Sequence, residues 1–212
     1  MYQLYYYPNN ASLAPHFVLA EMGLKYELCL VDRKSNAQKS ADYLLLNPAG
    51  RIPTLVDNGR AIFESAAICL HLCDENPTRA IMPAVGDVDR ALFHQWLFYL
   101  SNTVQAELMV YFYPDKHTND LSAAPSIKAT QEKRVTDMFA LLDSELEGRD
   151  FLVGKTISVC DYFLLMLAIW ANDFDTPPMT FNNLSRYLRK LVQREAAQKV
   201  CAVEGIDLGR YR

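Results

Sequence analysis

Asn47-Pro48-Ala49-Gly50-Arg51-Ile52-Pro53-Thr54-Leu55, followed nine residues later by Glu64-Ser65, holds the residue types and spacing that could do chemistry. A Pro-Gly turn leads into Ile52-Pro53 and a short apolar strand. The Asp57-Asn58-Gly59 turn then reverses the chain into Ala61-Ile62-Phe63, which delivers Glu64-Ser65 to a helix start. An extended backbone edge beside a helix N-terminus can pair with a peptide main chain and hold a carboxylate at its end. The ligand this implies is a small acidic peptide. Pro53 opens its strand either as an ordinary trans proline, the commoner case, or as a cis proline that turns the Ile52 backbone outward. Ser65 is a good helix N-cap, and Glu64 suits a helix N-terminus; both also suit a ligand's carboxylate and ammonium.

Tyr5-Tyr6-Tyr7-Pro8-Asn9-Asn10-Ala11-Ser12 is the third element. A strand breaking into a helix start gathers hydroxyl and amide N–H groups where a thiolate could be stabilised. A thiol of pKa about 8.5 is only slightly ionised at neutral pH, and a helix N-terminus lowers that value. With Ser12 as N-cap, Pro15 is the third helical residue and has no N–H to give, leaving Ala14 as the backbone donor to Ser12.

These residues need a scaffold. Residues 2–7 read as a strand, and Ser12 opens a helix with Leu13, Phe17, Ala20 and Leu24 at helical spacing, ended by Gly23. Tyr26 to Val31 reads as a strand and Ala37 to Leu46 as a short helix. The Pro53 strand, the Ala61 strand and a helix from Ser65 to about Glu75 complete a β-α-β-α-β-β-α order, a mixed sheet covered by helices. Residues 77–86, with two prolines and a glycine, read as a linker. Beyond them only helical periods occur: Asp87 to about Phe112, Ser126 to Glu147, a helix through Trp170 opened by the capping box Ser158-x-x-Asp161, and Asn183 to Glu195 or beyond. The expected division is an α/β domain over residues 1–78 and an all-helical domain over 87–212.

Half of the 212 residues are hydrophobic and 22% are charged, so the chain is globular. A net charge of −4 without a basic cluster argues against a nucleic-acid partner. No apolar run approaches membrane-spanning length, and the N-terminus lacks signal-peptide features, so a cytoplasmic protein is expected. Cys69 and Cys73 share a helix face and could ligate a metal. They also continue the apolar stripe of Ala66 and Leu70, and core packing is the stronger reading; no metal is expected.

With these motifs in this order, the chain resembles the glutathione transferase superfamily, and within it is most similar to bacterial beta-class enzymes. The resemblance rests on Ser12-Leu13-Ala14-Pro15-His16, Asn47-Pro48-x-Gly50-x-Ile52-Pro53, Glu64-Ser65 and Ser158-x-x-Asp161, and spans essentially the whole length. It implies a thioredoxin-like domain that binds glutathione and a helical domain that supplies most of an electrophile pocket. By position, Pro53 would be cis, Ile52 would pair with the cysteinyl backbone, and Glu64 and Ser65 would hold the γ-glutamyl end. Lys34 or Arg51 would meet the glycyl carboxylate. Ser12, Tyr6 or a neighbouring asparagine, Asn9 or Asn10, would face the sulfur. Tyr111, Phe112 and Trp170, with Tyr113 and Phe174, are the aromatic candidates for the electrophile pocket. A homodimer is also implied.

Two positions depart from that pattern. Ala11 stands where beta-class enzymes carry cysteine, which excludes a mixed disulfide there, and Gln105 stands where they carry a helical-domain histidine. Hydrogen bonding and the helix dipole remain to stabilise a thiolate. The expected function is conjugation of glutathione to an electrophilic small molecule. The alternatives are a glutathione-dependent peroxidase or disulfide reductase, and a non-catalytic binding or regulatory protein of the same fold.

Overall fold

The central strand β1 (Tyr2–Tyr6) carries three adjacent tyrosines into the loop that follows it, and the computed structural model, which describes residues 1–211, shows what surrounds them. The chain continues through α1 (Leu13–Glu21), β2 (Tyr26–Leu30), α2 (Ala41–Leu46), β3 (Thr54–Asp57), β4 (Arg60–Phe63) and α3 (Ser65–Glu75). The strands form one four-stranded sheet in the order β2-β1-β3-β4. β1 runs parallel to β2 and antiparallel to β3, and β3 and β4 form an antiparallel hairpin. This is the expected thioredoxin-like arrangement.

Register decides where the motifs meet. Tyr5 pairs with Thr54, and Thr54 pairs with Phe63. The residues just beyond these three, namely Tyr6 onward, Pro53 backward and Glu64 onward, therefore emerge at one end of the sheet. Alternation along β1 sends Tyr5 and Tyr7 to the face where Tyr43, Val31 and Ile52 form a small core, while the Tyr6 ring meets His16 of α1 on the other. Residues Leu13 to Leu19 of α1 are all buried, and α1 packs on α3 and on the last long helix. Full burial of a side chain the size of Phe17 contributes about 1.5–3 kcal/mol. Gly23, at φ 60°, ends α1, and the Leu24 N–H reaches back to the Leu19 carbonyl at 3.0 Å.

The helical part comprises α4 (Arg90–Phe98), a π-helical turn (Tyr99–Val104), α5 (Gln105–Phe112), α6 (Ala124–Glu145), α7 (Val159–Trp170), α8 (Asn182–Val192) and α9 (Glu195–Glu204). Every residue of α7 from Val159 to Ile169 is buried, as a helix apolar on all faces but for Asp161 requires. The Asp161 carboxylate anchors its start. Its Oδ2 accepts the Ser158 N–H at 2.7 Å and the Ser158 hydroxyl at 2.8 Å; its Oδ1 accepts the Leu152 N–H at 2.8 Å and the Tyr187 hydroxyl at 2.6 Å.

Four expectations differ from the structure. The helix read over residues 37–46 is a 3-10 turn (Ala37–Lys39) followed by α2, because extended Ser40 interrupts it and accepts the Tyr43 N–H on its own hydroxyl. Ser12 precedes α1 but makes no side-chain cap; its hydroxyl turns back to Tyr7 instead. The last helix breaks into α8 and α9 at Arg194, which is extended at φ −67°, ψ 139°. The chain divides into a unit of Met1–Pro83 with Val192–Arg210 and a unit of Ala84–Leu191 with Tyr211, so α9 belongs to the sheet unit rather than to a helical domain over 87–212. Cys69 and Cys73 are buried on α3. Among the described residues, no helix is long and apolar enough to cross a membrane.

Candidate active site

The Arg51 carbonyl is gripped from two sides. The Asn47 side-chain amide donates to it at 2.8 Å and the Tyr43 hydroxyl at 2.7 Å. Asn47 is buried, and its other amide atom accepts the Ala49 N–H at 3.1 Å, closing the turn. Gly50 sits at φ 58°, where a Cβ would meet the Gln38 carbonyl at 2.9 Å and the end of Lys39 at 2.6 Å, so only glycine fits the turn. Tyr43 also bonds Thr54 Oγ1 at 2.9 Å, which ties the turn to the first residue of β3. Between these pinned points lies Ile52-Pro53, joined by a cis peptide bond, against the commoner trans geometry. The Ile52 N–H and C=O lie beyond the last paired residue of the β1–β3 ladder. The Ile52 side chain is buried against Val31 and Tyr43.

Across the sheet end, Glu64 is exposed and holds φ 74°, ψ 116°, outside the regions that non-glycine residues favour. It makes no side-chain cap to α3. Ser65 is buried, and its hydroxyl donates to the Ala11 carbonyl at 2.8 Å, which joins the start of α3 to the β1–α1 loop.

That loop is pinned along its length. Ser12 is fully buried; its hydroxyl donates to the Tyr7 carbonyl at 3.2 Å and accepts the Tyr7 N–H at 3.4 Å. Asn9 takes the left-handed conformation at φ 52°, and its N–H donates to Glu204 Oε2 at 2.9 Å. The Asn10 amide oxygen accepts the Ala11 N–H at 2.8 Å. The hydroxyl of Tyr6, the side-chain amide of Asn9 and the amide N–H₂ of Asn10 have no protein partner among the described residues. Ser12 is thus already committed, whereas these three groups can still donate to a ligand.

Lys34 and Arg51 are both exposed. Lys34 lies in the loop after β2, where its N–H caps onto Asp32, and Arg51 lies in the turn before Ile52. In the helical unit, Tyr111, Phe112, Trp170 and Phe174 form one aromatic cluster, with ring centroids 5.2 Å apart for Tyr111–Phe112, 6.3 Å for Phe112–Trp170 and 4.5 Å for Tyr111–Phe174. Phe112 is exposed, whereas Tyr111 is buried. Burial, and after it the carboxylates of Glu132, Asp173 and Asp175, push the Tyr111 phenol up, so it offers a neutral hydroxyl. Lys116 Nζ lies 4.4 Å from the Tyr113 ring centroid. Gln105 opens α5 directly after the π-helical turn. Reading the sequence missed Tyr43 and Glu204 as parts of the sheet-end site. The Ser40-x-x-Tyr43 cap and a carboxylate on the buried stripe of α9 were the signals available.

Comparison with known proteins agrees with this geometry. Residues 1–74 match the family of glutathione S-transferase N-terminal domains, and residues 102–195 match that of the C-terminal domains. The chain is 25% identical to glutathione S-transferase GstA of Escherichia coli O157:H7, covering 96% of this chain and 99% of that one. It is 30% identical to glutathione S-transferase D7 of Drosophila melanogaster, over 88% of this chain and 82% of that one. Among solved structures, it superimposes on a sphingomonad glutathione S-transferase complexed with glutathione with a TM-score of 0.84 at 30% identity, covering 97% and 100% of the two chains. A beta-class glutathione S-transferase of Sphingomonas chungbukensis matches with the same TM-score of 0.84 at 26% identity, over 97% and 100%. Family matches over both parts of the chain and relatives aligned over nearly its full length lead to one assignment: the chain belongs to the glutathione S-transferase family.

Proposed function

We propose that the protein joins the thiolate of glutathione to an electrophilic small molecule with apolar surface. The observation that carries this reading is the convergence of Ile52-Pro53, Glu64-Ser65 and the Tyr7–Ser12 loop at one end of the sheet. Ile52 offers backbone groups to the cysteinyl residue of the tripeptide. The N-terminus of α3, with Ser65, takes the γ-glutamyl carboxylate, and Glu64 pairs with the ammonium beside it. Arg51 or Lys34 meets the glycyl carboxylate. The complex of the sphingomonad relative with glutathione supports this ligand.

The thiol then lies at the β1–α1 loop, where Ala11 offers no cysteine. Asn10, Tyr6 and Asn9 are the donors available to a thiolate, and Ser12 holds the loop through Tyr7. A thiolate stabilised by fixed donors attacks the electrophilic carbon, forming a C–S bond and either expelling a leaving group with its electron pair or breaking the π bond of an activated double bond, whose carbanion then takes a proton from solvent. The proton lost on thiol ionisation goes to solvent. Tyr111, Phe112 and Trp170 are the proposed contacts for the electrophile's apolar part. A homodimer in the cytoplasm completes the proposal, on family grounds.

Parallel assays with an aryl halide and with a hydroperoxide test it. Conjugation of the aryl halide is the expected outcome. Peroxide turnover without conjugation of any electrophile tried would overturn it in favour of a reductase.

A further inference from the structure

Glu204 belongs to the last long helix, yet its carboxylate reaches a residue 195 positions earlier in the chain. It lies on the buried stripe of α9 with Ala197, Val200 and Cys201. One oxygen accepts the Asn9 N–H at 2.9 Å; the other lies 2.6 Å from His16 Nδ1. His16 Nε2 in turn lies 3.1 Å from the Tyr26 hydroxyl. The side chains of His16 and Glu204 are 1% and 0% exposed. A carboxylate is buried this completely only when its partners satisfy it.

With a neutral imidazole that carries its proton on Nδ1, every donor and acceptor is satisfied. Tyr26 O–H donates to Nε2, Nδ1–H donates to one carboxylate oxygen, and the Asn9 N–H donates to the other. Burial, and then the Glu204 charge, push the Tyr26 phenol up, which keeps its proton in place for this role. Asn9 is the loop residue in the left-handed conformation. Its backbone sets the direction of the peptide that carries Asn10 and Ala11, and so the aim of the groups left open to a ligand.

We propose that Glu204 is a positioning residue for thiol activation. It locks Asn9 in its left-handed turn, so that Asn10 presents its amide to the bound thiol, and His16 and Tyr26 fix the carboxylate's orientation. This rests on the glutathione reading above. The helix that closes the sheet unit thereby completes the loop that its first strand begins.

Glu204→Gln tests the role in the full-length protein. A glutamine has one acceptor oxygen for two donors, so its N–H₂ faces either the Asn9 N–H or a His16 ring that must move its proton to Nε2 and give up the Tyr26 O–H as a donor. The expected result is a rise of about one unit in the thiol pKa of bound glutathione, read from thiolate absorbance against pH. Turnover near neutral pH falls roughly tenfold and recovers at higher pH, while the glutathione KM stays within about twofold. A folded variant with the wild-type bound-thiol pKa would overturn the proposal. If the glutamine variant does not accumulate folded, Tyr26→Phe carries the test, since it keeps the ring and removes only the hydroxyl that orients His16. A smaller rise in the same direction supports the proposal, and an unchanged value overturns it. A wild-type protein that leaves the glutathione thiol at its free value refutes the glutathione reading itself. A lowered wild-type value that persists in both variants refutes only the role of Glu204.

Discussion

Ser65 and Ser12 are both buried serines beside the same loop, but their hydroxyls have different freedom. The Ser65 hydroxyl donates to Ala11 and keeps lone pairs and its N–H at a helix start, the place proposed for the γ-glutamyl carboxylate. Ser65→Ala should therefore weaken glutathione binding by about 1–2 kcal/mol, roughly tenfold in Kd by calorimetry. The Ser12 hydroxyl is spent on Tyr7. Ser12→Ala should cost about 1 kcal/mol of stability in urea denaturation, because it strands half-buried backbone groups of Tyr7, and should leave the bound-thiol pKa near its wild-type value. Asn10→Ala should behave in the opposite way, raising that pKa with little loss of stability. The residue types around the thiol were legible in the sequence, but the split of roles was not. Nothing in Tyr7-to-Ser12 spacing says whether a hydroxyl faces outward to a ligand or backward to its own loop; that depends on how the loop closes.

At the scale of elements, two short devices fix local frames, one in each unit. The turn Asn47–Gly50 places Ile52 by pinning the Arg51 carbonyl from Asn47 and Tyr43. Gly50→Ala should lose at least about 1 kcal/mol of stability, from positive φ and the clash with Gln38, and should weaken glutathione binding as Ile52 shifts. The second device is Asp161 at the start of α7. Burial pushes its carboxyl above the ordinary range, against the pull of four donors. The native state therefore keeps the proton to higher pH than the unfolded chain, whose value is about 3.9. The stability that this carboxyl contributes is then fully present below that value and falls as pH rises through the native pKa. Asp161→Asn should destabilise by about 1–3 kcal/mol, and the deficit should shrink as pH rises above about 4 in urea titrations. Both devices were readable as local motifs, because cap and turn signals depend on neighbours a few residues apart. Their long-range arms were not: Tyr187 reaches Asp161 from 26 positions away, and its sequence context gives no hint of it.

The whole molecule shows where local reading stops. Alternating strands and helices, then helices alone, were enough to anticipate the order of elements and a mixed sheet covered by helices. The return of α9 to the sheet unit was not anticipated, since a helix's periodicity tells which face is buried and not against what. A charged residue on that buried face, Glu204, was the one trace of it. The same limit holds for oligomerisation, where exposed Leu45 and Phe63 on the sheet unit leave apolar surface for a second copy. Sedimentation equilibrium should return twice the chain mass if the proposed homodimer forms, and a single chain mass would refute it. Most directly at issue is that the sheet end binds glutathione without an enzyme cysteine. Calorimetric titration of the full-length protein with reduced glutathione tests this, with Ser65→Ala run beside it. Saturable binding at one site per chain, weakened about tenfold by the substitution, is the predicted result. No detectable heat of binding at millimolar glutathione, or equal affinity in the variant, would contradict it.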